Sequence, residues 1–312
     1  MRRTWQIVLF VAVAMVAAAC SSTADTTTTT QAPTTTAATA TTGAPEPTTT
    51  TEAPDECAVD ALNLVSPGVL TVATGEPAFP PWVSGADGAN FDDPESKTGF
   101  EAALVYEIAA EMGFTDDQVV WVRTGFDEAV TAGPKSFDFN IQQYSITETR
   151  DEVVDFSDPY YTTQQAVIGL PDSAVIGVTT FADLKDAKLG AEIGSTSLDF
   201  IEDVIQPDQQ AAVYDSTVDA KSALEAGQLD GIVTDLPTAY FIAAVEIEGA
   251  VIAAQFGTTA AEPDQFGMLF AEGNSLVACV NEALGALSAA GRLTALEQEW
   301  LAQAGEIVTI NN

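Results

Sequence analysis

Arg150 stands in the stretch SITETRDEVVDFSDPYY, Ser145 to Tyr161, of a chain that holds 10 Lys and Arg against 46 Asp and Glu. A guanidinium presents a planar fork of donors and grips a carboxylate through two parallel charge-assisted hydrogen bonds, which lysine cannot do. The other reading is an arginine in the first turn of a helix, paired with Glu148, Asp151 or Asp155; surface pairs of that kind contribute little. Gly194-Ser195-Thr196 sits where a turn gives way to a helical pattern. The unpaired N–H groups of a helix start suit an anion, and Ser and Thr there are equally good N-caps. Asp235 ends a β-branched run, where a carboxylate can hold a cation, cap the helix that begins near Pro237, or do both with different oxygens. Glu76 and Phe79 lie in GEPAFPPW, which by itself is a Pro-rich loop with a core phenylalanine. Phe126 reads as a core contact beside a helix cap at Asp127, and Gln142 and Gln143 bring two amides to a strand end. The chain has no histidine, which removes Ser-His-Asp and Cys-His catalysis and the commonest metal ligand; no cofactor or metal is expected.

The elements that position these residues are legible in the periodicity. Val69 to Thr74, Val119 to Val122 and Phe137 to Ile141 read as strands. Phe100, Leu104, Ile108 and Met112 recur every four positions with Glu101, Glu107 and Glu111 between them, the pattern of a helix. A second series follows: strands at Lys188 to Ile193, Ala211 to Tyr214 and Gly231 to Thr234, with helices at Ser195 to Val204 and Val218 to Ala226. Pro237 falls in the first turn of a further helix, where its missing N–H does no harm. Ser275 to Ala304 is helical with a break near Gly291. Alternating strands and helices predict α/β lobes with largely parallel sheets. The extended segments Gln164 to Leu170 and Gln265 to Phe270 are expected to connect the lobes twice. Lobe one is then discontinuous, residues 57–164 and 257–312, and lobe two is the insertion 165–256.

Residues 1–19 have the layout of a secretory signal peptide: Arg2 and Arg3, then an apolar run from Ile7 to Ala19. Ala17-Ala18-Ala19-Cys20 is similar to a bacterial lipobox, with Ala17 where Leu or Val is more usual, so Cys20 is expected to carry lipid; an ordinary secretory signal beside a cysteine is the alternative. Residues 20–56, rich in Thr, Ala and Pro, have too little apolar surface to offset the entropy of ordering and read as a tether. Loss of residues 1–19 removes two arginines and no acid, leaving 8 basic against 46 acidic residues, a charge of −38. Such a field repels nucleic acid and anionic headgroups. Membrane contact is expected through the lipid alone, with the protein exported to the cell surface or periplasm. In an exported protein an isolated cysteine pair favours a disulfide, here Cys57 to Cys279, over two buried thiols.

PGVLTVATGEPAFPPW, GFEAALVYEIAAEMGF, FDFNIQQYSITETRDEVVDFSDPYY, LGAEIGSTSLDFIED and ALEAGQLDGIVTDLPTAYF occur in this order. Together they resemble the family 3 extracellular solute-binding proteins, the polar amino-acid receptors of ABC importers. The resemblance runs from about Leu70 to Leu301. It implies a two-lobed periplasmic-binding-protein fold of type II, the Venus flytrap, with two crossover strands and a ligand cleft. It places Arg150, with donors near Gln143 and Ser145, on a ligand carboxylate, and points to Thr196 with Ser195 nearby. It gives Asp235 the α-ammonium, Phe79 and Phe126 the pocket walls, and Glu76 an acidic position where Asp is more usual. Gln142 and Gln143 stand where small or apolar residues are common. The function it implies is capture of a free amino acid, polar or basic, for delivery to an ABC permease, by a monomer that is not an enzyme. A lyase of the cyclohexadienyl dehydratase type on the same fold is the alternative, with Glu76 or Asp235 as general acid.

Overall fold

The computed structural model describes residues 55–85, 92–302 and 306–312. The expected signal peptide, Cys20 and most of the tether lie outside the described residues. In chain order the first part runs β1 (Leu70–Thr74), α1 (Phe100–Glu111), β2 (Val119–Arg123), α2 (Phe126–Val130), β3 (Phe139–Asn140), α3 (Glu148–Asp151), β4 (Val154–Phe156) and β5 (Tyr161–Thr163). The second runs β6 (Gln165–Gly169), β7 (Leu189–Glu192), α4 (Thr196–Asp199), β8 (Ala212–Tyr214), α5 (Thr217–Glu225), β9 (Gly231–Asp235), α6 (Leu236–Phe241) and β10 (Val251–Phe256). The chain returns through β11 (Asp264–Phe266) and β12 (Leu269–Ala271) to α7 (Leu276–Ala289) and α8 (Arg292–Trp300), and then forms β13 (Thr309–Ile310).

Two mixed sheets organise the lobes, one in the order β2-β1-β3-β12-β4 and one in the order β13-β10-β6-β9-β7-β8. Within the first, β1 lies parallel to β2 and β3, while β12 is antiparallel to β3 and β4. Within the second, β7 is parallel to β8 and β9, and β6 is antiparallel to β9 and β10. The lobes are joined where β5 pairs antiparallel with β11, Thr163 opposite Asp264 and Tyr161 opposite Phe266. The first crossing thus falls just before the segment expected to make it, and the second overlaps the start of Gln265 to Phe270. Gln165–Gly169 is already a central strand of the second sheet, as its fully buried, β-branched sequence requires.

One assignment changes. The C-terminal residues, expected in lobe one, return to the second sheet: Gln255 pairs with Thr309 and Phe256 with Ile310. Ile310 is fully buried against Phe256 and Ala254, and that burial outweighs the chain's proximity to α8.

The first lobe's core lies between β1, β3 and the α1–α7–α8 layer, with Leu70, Val72, Phe100, Leu104, Ile108, Phe139, Val280 and Leu284 all buried. Cys57 and Cys279 are bonded, fixing the segment before β1 to α7. The break near Gly291 is a left-handed residue, φ +72°, between α7 and α8, a conformation glycine adopts without a Cβ clash. Among the described residues no single helix is long and apolar enough to cross a membrane.

Candidate functional site

The ends of β1, β3, β7 and β9 and the starts of α4, α5 and α6 converge on one cavity between the lobes. Its wall includes Glu76, Phe79, Trp82, Phe126, Gln142, Gln143 and Ser145 from the first lobe. The second lobe supplies Glu192, Ser195, Thr196, Asp215, Thr217, Asp235 and Thr238, with Gln165 at the crossing. Four of these are carboxylates and none is Lys or Arg. A convergence of strand ends and helix starts is where open α/β sheets place ligands, because backbone donors and acceptors are left unpaired there.

Asp235 closes β9 and caps α6: its Oδ1 accepts from Thr238 N at 2.9 Å, with Pro237 in the first turn. Both sequence readings of this residue can therefore coexist, since the second oxygen is not needed for the cap. Burial pushes its carboxyl up to about 6, against the lowering effect of the Thr238 bonds.

Ser195 caps α4, its Oγ accepting from Leu198 N at 3.2 Å and donating to Glu192 O at 2.7 Å. Thr196 is the first helical residue, and its Oγ1 lies 3.1 Å from Ser145 Oγ across the cleft. The expected helix to Val204 is α4 continued by a wider turn through Phe200–Ile205. Trp82 Nε1 donates to Thr238 Oγ1 at 2.8 Å, a second direct bond between the lobes.

Arg150 is buried beside Ser145 of the cavity wall; Nη1 donates to Ser145 O at 2.7 Å and Nη2 to Gly194 O at 2.8 Å. A buried guanidinium must be hydrogen-bonded, and these two carbonyls, one from each lobe, supply that need. None of Glu148, Asp151 or Asp155 pairs with it among the described ion pairs. Its Cζ also lies 5.3 Å from the Phe126 ring centre, and Phe126 stacks on Tyr144 at 4.5 Å. Gly125, rather than Asp127, caps α2, so Asp127 falls within that helix's first turn.

Gln143 lines the cavity, and its own backbone N–H is spent inside the protein on Glu101 Oε1 at 2.8 Å, so a ligand donor near Gln143 must be another group. Glu101 gave no signal in the sequence, because its place between apolar helix positions reads as solvent-facing. It is fully buried, and burial pushes its carboxyl up to about 7.

Other wall residues were also missed. Gln165 accepts from Ser197 Oγ at 2.7 Å and donates to Asp264 at 2.7 Å, holding the crossing against α4. Glu192 Oε2 accepts from Thr217 Oγ1 at 2.8 Å and Thr217 N at 3.1 Å. Both signals were available in principle: Glu192 is two residues from Gly194, and Gln165 lies at the start of the segment Gln164 to Leu170.

Two lobes, two crossing strands and one polar cavity between them define a two-lobed ligand-binding protein. Residues 71–303 match the bacterial extracellular solute-binding proteins, family 3, and the chain belongs to that family. Relatives include the ABC transporter arginine-binding protein 1 of Escherichia coli (strain K12), 28% identical over 72% of this chain and 88% of that one. Among solved structures, an ancestral arginine-binding protein bound to arginine shares 26% identity and a TM-score of 0.61 over 75% of this chain and 98% of that one. The ancestral amino acid-binding protein AncCDT-1, a precursor of cyclohexadienyl dehydratase, shares 25% and 0.61 over 75% and 95%. The fold is the type II periplasmic binding fold of these proteins.

Proposed function

We propose that this chain is a receptor that takes a free α-amino acid with a polar or cationic side chain between its lobes and presents it to an ABC permease. The observation that carries this reading is Asp235, a buried carboxylate on the cavity wall with one oxygen spent on a helix cap. In this reading the other oxygen holds the α-ammonium. Thr196 and Ser145 approach the α-carboxylate, and Arg150 serves it with the N–H groups that Ser145 and Gly194 leave unused, since a guanidinium has five. Phe79 and Phe126 flank the side chain. Glu76, Glu192 and Asp215, with no basic residue on the wall, favour a side chain that donates hydrogen bonds. The relatives named for arginine agree with that preference.

The ligand stabilises the closed arrangement by contacting both lobes, so closure follows from its better binding to that state. Lipid at Cys20 and the tether 20–56 would hold this monomeric domain near the permease, outside the membrane. The lobe division 57–164 and 257–305 against 165–256 completes the reading, with the C-terminal strand assigned to lobe two.

A lyase reading gains from one observation, the carboxyl of Asp235 at about 6, which suits a general acid. Calorimetry with the twenty amino acids, followed by recovery of the bound compound, decides between them. Recovery of an unchanged amino acid supports the receptor; a converted carboxylate substrate supports the lyase.

A further inference from the structure

Glu101 is a fully buried carboxylate in the first turn of α1, and among the described residues no ion pair includes it. Its donors are Gln143 N at 2.8 Å and Tyr160 OH on Oε1, and Gln143 Nε2 at 2.5 Å on Oε2. Two of the three come from one residue, and that residue lines the cavity. Gln143 has φ +51°, a left-handed backbone that L side chains rarely adopt without a specific restraint. Glu101 is that restraint, holding both the main chain and the side chain.

The consequence concerns the amide's direction. An ionised carboxylate only accepts hydrogen bonds, so it fixes the NH2 group of Gln143 toward itself. The amide's Oε1 then points the other way. It receives no bond from the described residues, and it is not among the buried polar atoms without a partner. We propose that Glu101 is a positioning residue that fixes the Gln143 amide with Oε1 toward the cavity, so that this wall accepts a ligand N–H and turns away a ligand side-chain carboxylate. The inference rests on the reading of the cavity as an amino-acid site. The geometry also makes it reversible: a proton on Glu101 Oε2 can be donated to Gln143 Oε1, which turns the amide over and presents NH2 to the cavity instead. The groups that govern that proton are Tyr160 and Gln143, which hold the carboxylate ionised, and burial with Asp235 on β9, which oppose it. Tyr144, on the strand-end segment after β3, feels the same charge.

The test is calorimetry with L-glutamine and L-glutamate at pH 8.5, paired with nitrogen NMR of the Gln143 side-chain amide across pH 5.5 to 8.5. The wild-type chain is expected to favour glutamine, with the amide resonance titrating near neutral pH. In Glu101→Gln the glutamine-over-glutamate preference should fall about tenfold and the titration should vanish. Tyr160→Phe, which removes one donor to Glu101, should move the midpoint upward and covers the case in which Glu101→Gln does not fold. A folded Glu101→Gln with unchanged preference, or a wild-type amide resonance flat across the range, overturns the proposal. If neither amino acid binds the wild type, the amino-acid reading fails for these ligands, and the NMR titration still decides the amide's orientation.

Discussion

Arg150 Nη2 donates to Gly194 O at 2.8 Å while its Nη1 donates to Ser145 O at 2.7 Å, so a single guanidinium ties the segment after β3 to the turn that opens α4. The first carbonyl belongs to lobe two and the second to lobe one. Gly194 itself has φ +69°, a backbone that strains any side chain, and a Cβ there would lie 2.1 Å from Asp127 Oδ1, so that carboxylate would have to turn away. The cleft is therefore pinned at a point whose backbone favours glycine.

Arg150→Lys keeps the charge and loses the fork. The expected result is a loss of about 2 kcal/mol or more in ligand affinity, because one ammonium cannot serve both carbonyls and a carboxylate in their fixed geometry. Calorimetry on the two proteins checks this; equal affinities would remove Arg150 from ligand recognition. Gly194→Ala is expected to weaken closure, read as a larger radius of gyration by small-angle scattering with ligand present.

Asp235 gives the pH dependence a sign. Its folded value, about 6, lies above the ordinary 3.8, so its contribution to folding is favourable below about pH 4 and is lost as pH rises through 6. Glu101 acts in the same direction, its contribution present below its ordinary 4.5 and lost as pH rises through about 7. An ammonium ligand needs Asp235 ionised, so affinity should fall as pH drops below 6, with proton release on binding in that range. Asp235→Asn should bind poorly at every pH while melting at a higher temperature than wild type at pH 8. Calorimetry in buffers of different ionisation enthalpy and thermal melts measure both; a pH-independent affinity from 5 to 8 would contradict the assignment.

Trp82 Nε1 and Thr238 Oγ1 form a bond across the lobes. Trp82→Phe removes it and is expected to shift the open–closed balance by about 1 kcal/mol toward open. Scattering profiles without ligand should report the change, and identical profiles would show that this bond does not hold closure.

The Cys57–Cys279 bond closes a loop of 222 residues. On the chain-entropy account a loop that long contributes about 5 kcal/mol. Reduction, or Cys57→Ser, should lower the unfolding free energy in urea by a comparable amount with ligand affinity nearly unchanged.

Much of this was readable from the chain. The periodicity of Phe100, Leu104 and Ile108 located α1, the β-branched run before Asp235 located β9, and compartment reasoning paired the cysteines. The short motifs brought Glu76, Phe79, Phe126, Ser145, Ser195, Thr196 and Asp235 to one cavity. What sequence could not supply was tertiary. Helical spacing cannot tell that Glu101 turns inward, because burial of a carboxylate depends on donors from Gln143 and Tyr160, 42 and 59 residues away. Nor does a motif say which acceptors a guanidinium chooses inside the protein, here the carbonyls of Ser145 and Gly194. The return of Thr309–Ile310 to the second sheet is a long-range pairing with no local signature.

The central claim is that one cavity grips both head groups of an α-amino acid. Its most direct test compares the tightest-bound amino acid with its N-acetyl and its carboxamide analogues by calorimetry. Both analogues keep the side chain, one lacking the ammonium and the other the carboxylate. The account predicts that each binds at least about 100-fold more weakly than the parent. Retention of full affinity by the N-acetyl analogue would contradict the role of Asp235 and, with it, the amino-acid reading of the cavity.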